Sequence, residues 1–216
     1  MDDDPLLDDY VLELTGKARP RVCFVPTASA DSQIATVQFY RSFRSKAEPS
    51  DLTLFDRRVQ DLAGFLLSQD VVYVGGGNTA SMLAVWRAHG VHDVLREAWG
   101  RGIVLCGMSA GANCWFEDSI TDSFGPVLAA LGDGLGFLPG TFCPHYDGEA
   151  ERRPTYELLV SQGFPPGFAA DDQAAVRFDG TDVAECLSSK PDAAVYRVEL
   201  VDGEVTQTAL ETRFLG

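Results

Sequence analysis

The chain predicts an α/β fold, a three-layer α/β/α sandwich around a mostly parallel sheet with an antiparallel C-terminal extension. Three observations carry this. Short apolar runs alternate with segments of helical spacing from residue 21 to residue 117. Two of those runs end in glycine directly before a helix. Beyond residue 174 the pattern changes to strands joined by tight turns.

The elements follow in order. Asp4-Pro5 reads as a helix cap with proline at the first helical position, followed by LLDDYVLELTGK at helical spacing. RVCFVPTAS (21–29) reads as a buried strand entering a loop, and QIATVQFYRSFRSK (33–46) as an amphipathic helix. LTLFD (52–56) is expected to be a second strand, followed by a brief helix. DVVYVGGGNTASMLAVWRAHG is a buried strand that breaks at three glycines and restarts as a helix around Thr79. A short helix near 91–99 and the strand IVLCG (103–107) complete the alternation. The later runs AAVRFDG, AECLSS and AAVYRVELVDGEVTQTAL are short strands, with Asp202-Gly203 as a hairpin turn. A length of 216 residues without an internal repeat or low-complexity linker suits one domain over 1–216.

Composition narrows the function. Hydrophobic residues make up 45% and charged residues 23%, enough for a sizeable core and against disorder. With 32 acidic and 17 basic residues the net charge is −15, and no basic stripe offsets it, so nucleic acid is not expected as a partner. The five cysteines lack metal-binding spacing and read as reduced thiols of a cytoplasmic protein. No apolar run approaches bilayer length and the start carries no leader pattern, so neither membrane spanning nor secretion is expected.

The chemistry concentrates at LCGMSAGANC (105–114). An apolar run ends in glycine, a serine follows, and small residues open a helix. Such a turn holds Ser109 at the apex of a strained elbow, where the Ala110 N–H can contribute to an oxyanion hole. A serine capping a tightly packed helix is the alternative reading. Of the three histidines, His89 and His92 sit in a polar stretch at helix ends and lack metal-ligand neighbours. His145, directly after a proline at the end of an apolar run, is the candidate general base. Between apolar flanks, GFAADDQAAVRF offers Asp172, with Asp171 as second choice, to orient the imidazole. The chain order serine, histidine, acid departs from that of α/β-hydrolases, where the acid precedes the histidine.

With these residues assembled, the chain resembles peptidase family S51, the group that contains aspartyl dipeptidase (peptidase E) and, more distantly, cyanophycinase. The matching stretches are FVPTAS (24–29), YVGGGNT (73–79), CGMSAGANCWF (106–116), PHYD around His145 and AADDQAA around Asp172. The resemblance implies a flavodoxin-like fold of the class I glutamine amidotransferase type, with serine at the elbow in place of cysteine. It implies Ser109 as nucleophile, His145 as base, and Asp172 where relatives carry a glutamate. Gly76 or Gly77 is then the second oxyanion donor, and Asn78, Arg152 and Arg153 are candidate substrate-binding residues. An arginine shortly after the histidine is expected to read an amino-terminal aspartate. Relatives begin with a further strand and glycine-rich turn, whereas here Met1 precedes DDDPLL directly, so either the start is set late or the sheet lacks that strand.

The implied activity is a serine exopeptidase acting through an acyl-enzyme on short peptides, dipeptides with amino-terminal aspartate first among them. No cofactor or metal is expected, and the molecule is expected to be a monomer or homodimer. Two other classes fit the same residues: an amidase or amidotransferase-like hydrolase, and a non-catalytic ligand-binding protein. The first is disfavoured because Cys106 lies inside the strand, three residues before the apex. The second predicts loss of Ser109, His145 or the acid, and all three are present.

Overall fold

The computed structural model describes residues 5–216. Its contacts divide the chain into two compact units, Met1–Ala112 and Asn113–Gly216.

The first unit alternates helix and strand as the sequence predicts. Helix α1 (Leu6–Glu13) begins after Pro5, which sits at the cap position, so the helix starts one residue later than the sequence pattern suggests. The expected Asp4 cap lies outside the described residues. Strands β1 (Arg21–Val25), β2 (Glu48–Asp51), β3 (Val71–Val74) and β4 (Val104–Gly107) form a wholly parallel sheet in the order β2-β1-β3-β4. The crossovers are helices α2 (Gln33–Phe43), α3 (Leu62–Leu67), α4 (Thr79–His89) and α5 (Val91–Gly100). Ser32, Asp61 and Asn78 cap α2, α3 and α4 by accepting from the amides of Ala35, Gly64 and Ser81. Phe24 of β1 stacks on Phe39 of α2 at 4.7 Å, and Tyr73 of β3 meets Phe39 edge-on at 5.9 Å. That aromatic layer, with Leu12 and Phe43, is the core between the sheet and its helices.

One strand differs from expectation. The pattern in LTLFD predicts β2 over 52–56, but the strand occupies EPSD at 48–51. Pro49 is tolerated because β2 is an edge strand of this sheet, where a missing N–H can face outward. Leu52 and Leu54 are buried in the following loop. The amides of Leu54 and Phe55 both donate to Asp31 Oδ2, at 2.6 and 2.7 Å, so a carboxylate replaces the ladder.

The second unit is built on β5 (Phe116–Thr121), β6 (Ala129–Gly132), β7 (Leu138–Cys143), β8 (Gly167–Ala170), β11 (Val195–Val201) and β12 (Glu204–Ala209). These form one mixed sheet in the order β12-β11-β8-β7-β5-β6, with β5, β7 and β8 mutually parallel. Helix α7 (Arg152–Ser161) joins β7 to β8. A smaller sheet holds β9 (Ala174–Asp179), β10 (Asp182–Ser188) and β13 (Thr212–Phe214). The β11–β12 hairpin turns at Asp202-Gly203, as the sequence predicts, with positive φ at both residues, the geometry of a type I′ turn. Tyr146, Tyr156, Ile120 and Val198 are core residues of this unit, and Phe116, Phe142, Phe168 and Phe178 form a second aromatic cluster.

All five cysteines are thiols rather than disulfides, four of them buried and Cys106 partly so. Among the described residues, no helix is long and apolar enough to cross a membrane.

Candidate active site

In the first unit three loops leave the carboxyl ends of adjacent parallel strands β1, β3 and β4, the edge where α/β sheets build their sites. The loop after β4 turns at Ser109, which holds φ 53°, a left-handed conformation rare for a residue with a side chain. Strain of this kind costs on the order of 1–3 kcal/mol and persists only where the surroundings impose it. Here the imposition is steric. A Cβ on Gly107 would lie 2.4 Å from the Gly111 carbonyl oxygen, and one on Gly111 would lie 2.3 Å from that of Val74. Only glycine lets the short helix α6 (Ala110–Asn113) fold back against β3 and β4. The Ala110 N–H opens that helix, where first-turn amides have no acceptor within the helix.

The loop after β3 packs against the serine: a Cβ on Gly76 would stand 3.3 Å from Ser109 Cβ. Gly77 has φ 137° and passes so close to Ala28 that a Cβ would fall 2.2 Å from its carbonyl oxygen. The same oxygen accepts from the Asn78 amide at 2.8 Å. The side chain of Asn78 caps α4, so its oxygen is engaged with Ser81.

In the second unit His145 and Asp172 leave the carboxyl ends of neighbouring parallel strands, β7 and β8. His145 Nδ1 lies 2.6 Å from Asp172 Oδ1. Both side chains are partly exposed, 31% and 49%, leaving the imidazole accessible. A carboxylate can only accept, so this contact favours the tautomer of the neutral ring with its proton on Nδ1 and its lone pair on Nε2. His145 has φ 57°, and the amide of Tyr146 extends the strand pairing by donating to Ala170 O at 3.0 Å.

Asp171 points elsewhere. It is 6% exposed, and its Oδ2 accepts from the Ala194 amide at 3.0 Å and from Tyr196 Oη at 3.4 Å. Burial, with the neighbouring Asp147 charge, raises its carboxyl above the usual range, against the Ala194 amide and Arg153. Arg152 is also buried. Its Nε donates to Glu149 Oε2 at 2.8 Å and its Nη1 to Ile120 O at 2.9 Å, so its guanidinium is engaged within the fold. Arg153 is half-buried, lies over the rings of Tyr146 and Tyr196 at 4.2 and 4.9 Å, and donates to Gln207 Oε1. His89 ends α4 and His92 lies in the first turn of α5, both half-buried. Among the described residues no group of three His, Cys, Asp or Glu side chains could hold a metal ion.

The first unit thus carries a glycine-built elbow on a parallel sheet and the second an imidazole held by a carboxylate, and comparison with known proteins gives the class. The sequence model of peptidase family S51 matches residues 2–186, and the chain belongs to that family. It is 46% identical over 216 residues to the uncharacterized peptidase YgaJ of Bacillus subtilis (strain 168), covering 99% of this chain and 93% of that protein. Peptidase E of Pasteurella multocida (strain Pm70) is 27% identical over 189 residues, 82% of this chain and 77% of the relative. The crystal structure of a peptidase from an acI-B1 Actinobacterium superposes with a TM-score of 0.70 at 16% identity, covering 96% of this chain and 89% of that one. The fold is therefore mixed α/β with a parallel sheet, of the flavodoxin-like type the sequence predicts, and the chain is a peptidase by family.

Proposed function

We propose that this peptidase is a serine exopeptidase that hydrolyses dipeptides with an amino-terminal aspartate through an acyl-enzyme. The observation that carries the reading is the 2.6 Å approach of Asp172 to His145 Nδ1, which leaves Nε2 free to take a proton. Ser109 is the nucleophile. His145 removes its proton as Oγ attacks the peptide carbonyl, and returns that proton to the leaving amine. Asp172 stabilises the imidazolium formed between these steps. Amides of Ala110 and of Gly76 or Gly77 receive the charge that develops on the carbonyl oxygen. Water then attacks the acyl-enzyme, with His145 again as base, and releases the second product. No cofactor enters these steps.

Arg153 is the residue we assign to the substrate's acidic side chain, because Arg152 is buried with donors engaged by Glu149 and Ile120, whereas Arg153 is half-buried and gives its Nη1 to Gln207. A local cation is needed on a chain of net charge −15 that binds an anionic substrate. Screening over about 8 Å at physiological salt limits the reach of the distant charges, so one guanidinium can dominate the pocket. The test is kcat/KM for Asp-Leu and Ala-Leu in the wild type and in Arg153→Ala. A strong Asp-Leu preference that narrows by about tenfold or more in the variant, chiefly through KM, supports the assignment. Equal rates on both peptides in the wild type would overturn it.

A further inference from the structure

We infer that Asp147 and Gly148 are positioning residues that set the carboxylate of Asp172 against His145, an assignment that rests on the proposed serine peptidase reading. The loop carrying the base grips the acid at two points. Asp147 Oδ1 accepts the backbone N–H of Asp172 at 2.7 Å. One residue further on, a Cβ on Gly148 would stand 2.1 Å from Asp172 Oδ2, so the carboxylate lies in the space that a side chain would fill. The loop is closed on itself by the Glu149 amide, which donates to His145 O at 3.1 Å, and is tied to the end of β8 through Tyr146.

Such a clamp is needed because burial does not hold the acid. Asp172 is 49% exposed, and an unrestrained carboxylate there would spread over its rotamers in water. Asp171 secures the other side, its side chain accepting from the Ala194 amide and its own amide donating to Ala194 O. The adjacent aspartates therefore divide the work: Asp171 anchors the turn, Asp172 faces the imidazole, and Asp147 fixes the peptide between them. The second oxygen of Asp147 lies 3.9 Å from Lys190 Nζ, a partly exposed contact that adds little. The product of the arrangement is a tautomer, with the ring proton on Nδ1 and the lone pair on Nε2.

The experiment reads that tautomer directly. In protein labelled with 15N-histidine, long-range 1H–15N correlation above the imidazole titration range distinguishes the Nδ1–H from the Nε2–H form. With three histidines in the chain, His145→Ala assigns the signal. The wild type should show the Nδ1–H form. Asp147→Ala should shift it towards a mixture and lower kcat on the preferred dipeptide by about 10- to 10²-fold with little change in KM. Asp147→Asn keeps an oxygen that accepts the Asp172 amide and should restore both readings. Gly148→Ala should resemble Asp147→Ala. Wild-type tautomer and kcat in both Asp147→Ala and Gly148→Ala would overturn the inference. Because the tautomer is read without turnover, failure of the peptidase reading appears separately, as a wild-type enzyme inactive on every dipeptide with the Asp147 and Gly148 effects on the ring still present.

Discussion

Ser109 and His145 share a backbone state, with φ 53° and 57°, yet the two are held in it by opposite means. Around Ser109 the restraint is the absence of side chains: Gly107, Gly111 and Gly76 let backbone press on backbone, and nothing there can rotate away. Around His145 the restraint is a set of hydrogen bonds accepted by partly exposed carboxylates, which water can compete for. The position of Ser109 is thus a property of packing and that of His145 a property of polar contacts. Errors at the first should appear in folding, and errors at the second in kcat.

The largest effect that bears on this contrast is chemical. Ser109→Ala removes the proposed nucleophile without touching the packing, so kcat should fall on the order of 10⁶-fold while the urea midpoint stays within error of wild type. A variant retaining near wild-type turnover would remove Ser109 from the mechanism. Asp172→Asn should lower kcat by about 10⁴-fold, because the amide can hold the wrong tautomer. Circular dichroism and melting temperature should remain unchanged, and Asp171→Asn should keep most activity. The reverse ranking of the two aspartates would break the assignment.

Gly111→Ala probes the other side. Its added methyl meets the Val74 carbonyl rather than a movable side chain, and a loss of about 1–3 kcal/mol in unfolding free energy is expected together with lost activity. A stable, inactive Gly111→Ala protein would show that packing alone does not set the elbow.

The smallest effect concerns proton linkage at Asp171. The folded state holds this proton more tightly than the unfolded chain does, so the group favours folding at acid pH. That contribution is lost as pH rises from the ordinary carboxylate range through the raised value. Asp171→Asn keeps an acceptor for Ala194 and never ionises. Its stability relative to wild type should therefore improve slightly as pH rises from the ordinary carboxylate range through the raised value, as followed by thermal melts. A relative decline over that interval would mean the Asp171 carboxylate is stabilised rather than penalised by its surroundings.

The same contrast explains what is legible in the sequence. Tiny residues around a serine are visible as letters, so GMSAGA by itself announces the elbow and its helix. The alternation of β1, β3 and β4 with their helices is equally plain, since each strand is a short apolar run. Polar restraints are harder to read. AADDQAA does not say which aspartate turns towards His145, because the choice depends on Asp147 and Ala194, which are distant in sequence. Strand β2 departs from its expected position for a related reason. LTLFD has strand-like letters, but Asp31 takes up its amides, and the strand forms over a proline-containing segment that only an edge can accept. FEDSIT and AALG give little pattern because their pairing buries Ser119 and Thr121 alongside Ile120.

The five thiols, none of them in a disulfide, make this chain a quiet background for sulfur chemistry. Burial raises the pKa of every one of them, Cys143 to about 12, so at neutral pH hardly any native thiolate is available to an alkylating reagent or to air oxidation. In a Ser109→Cys variant, the sulfur at the elbow would stand out against that background. A single iodoacetamide adduct, located by mass spectrometry of the folded protein, would then count competent elbows directly, whatever peptide the enzyme prefers.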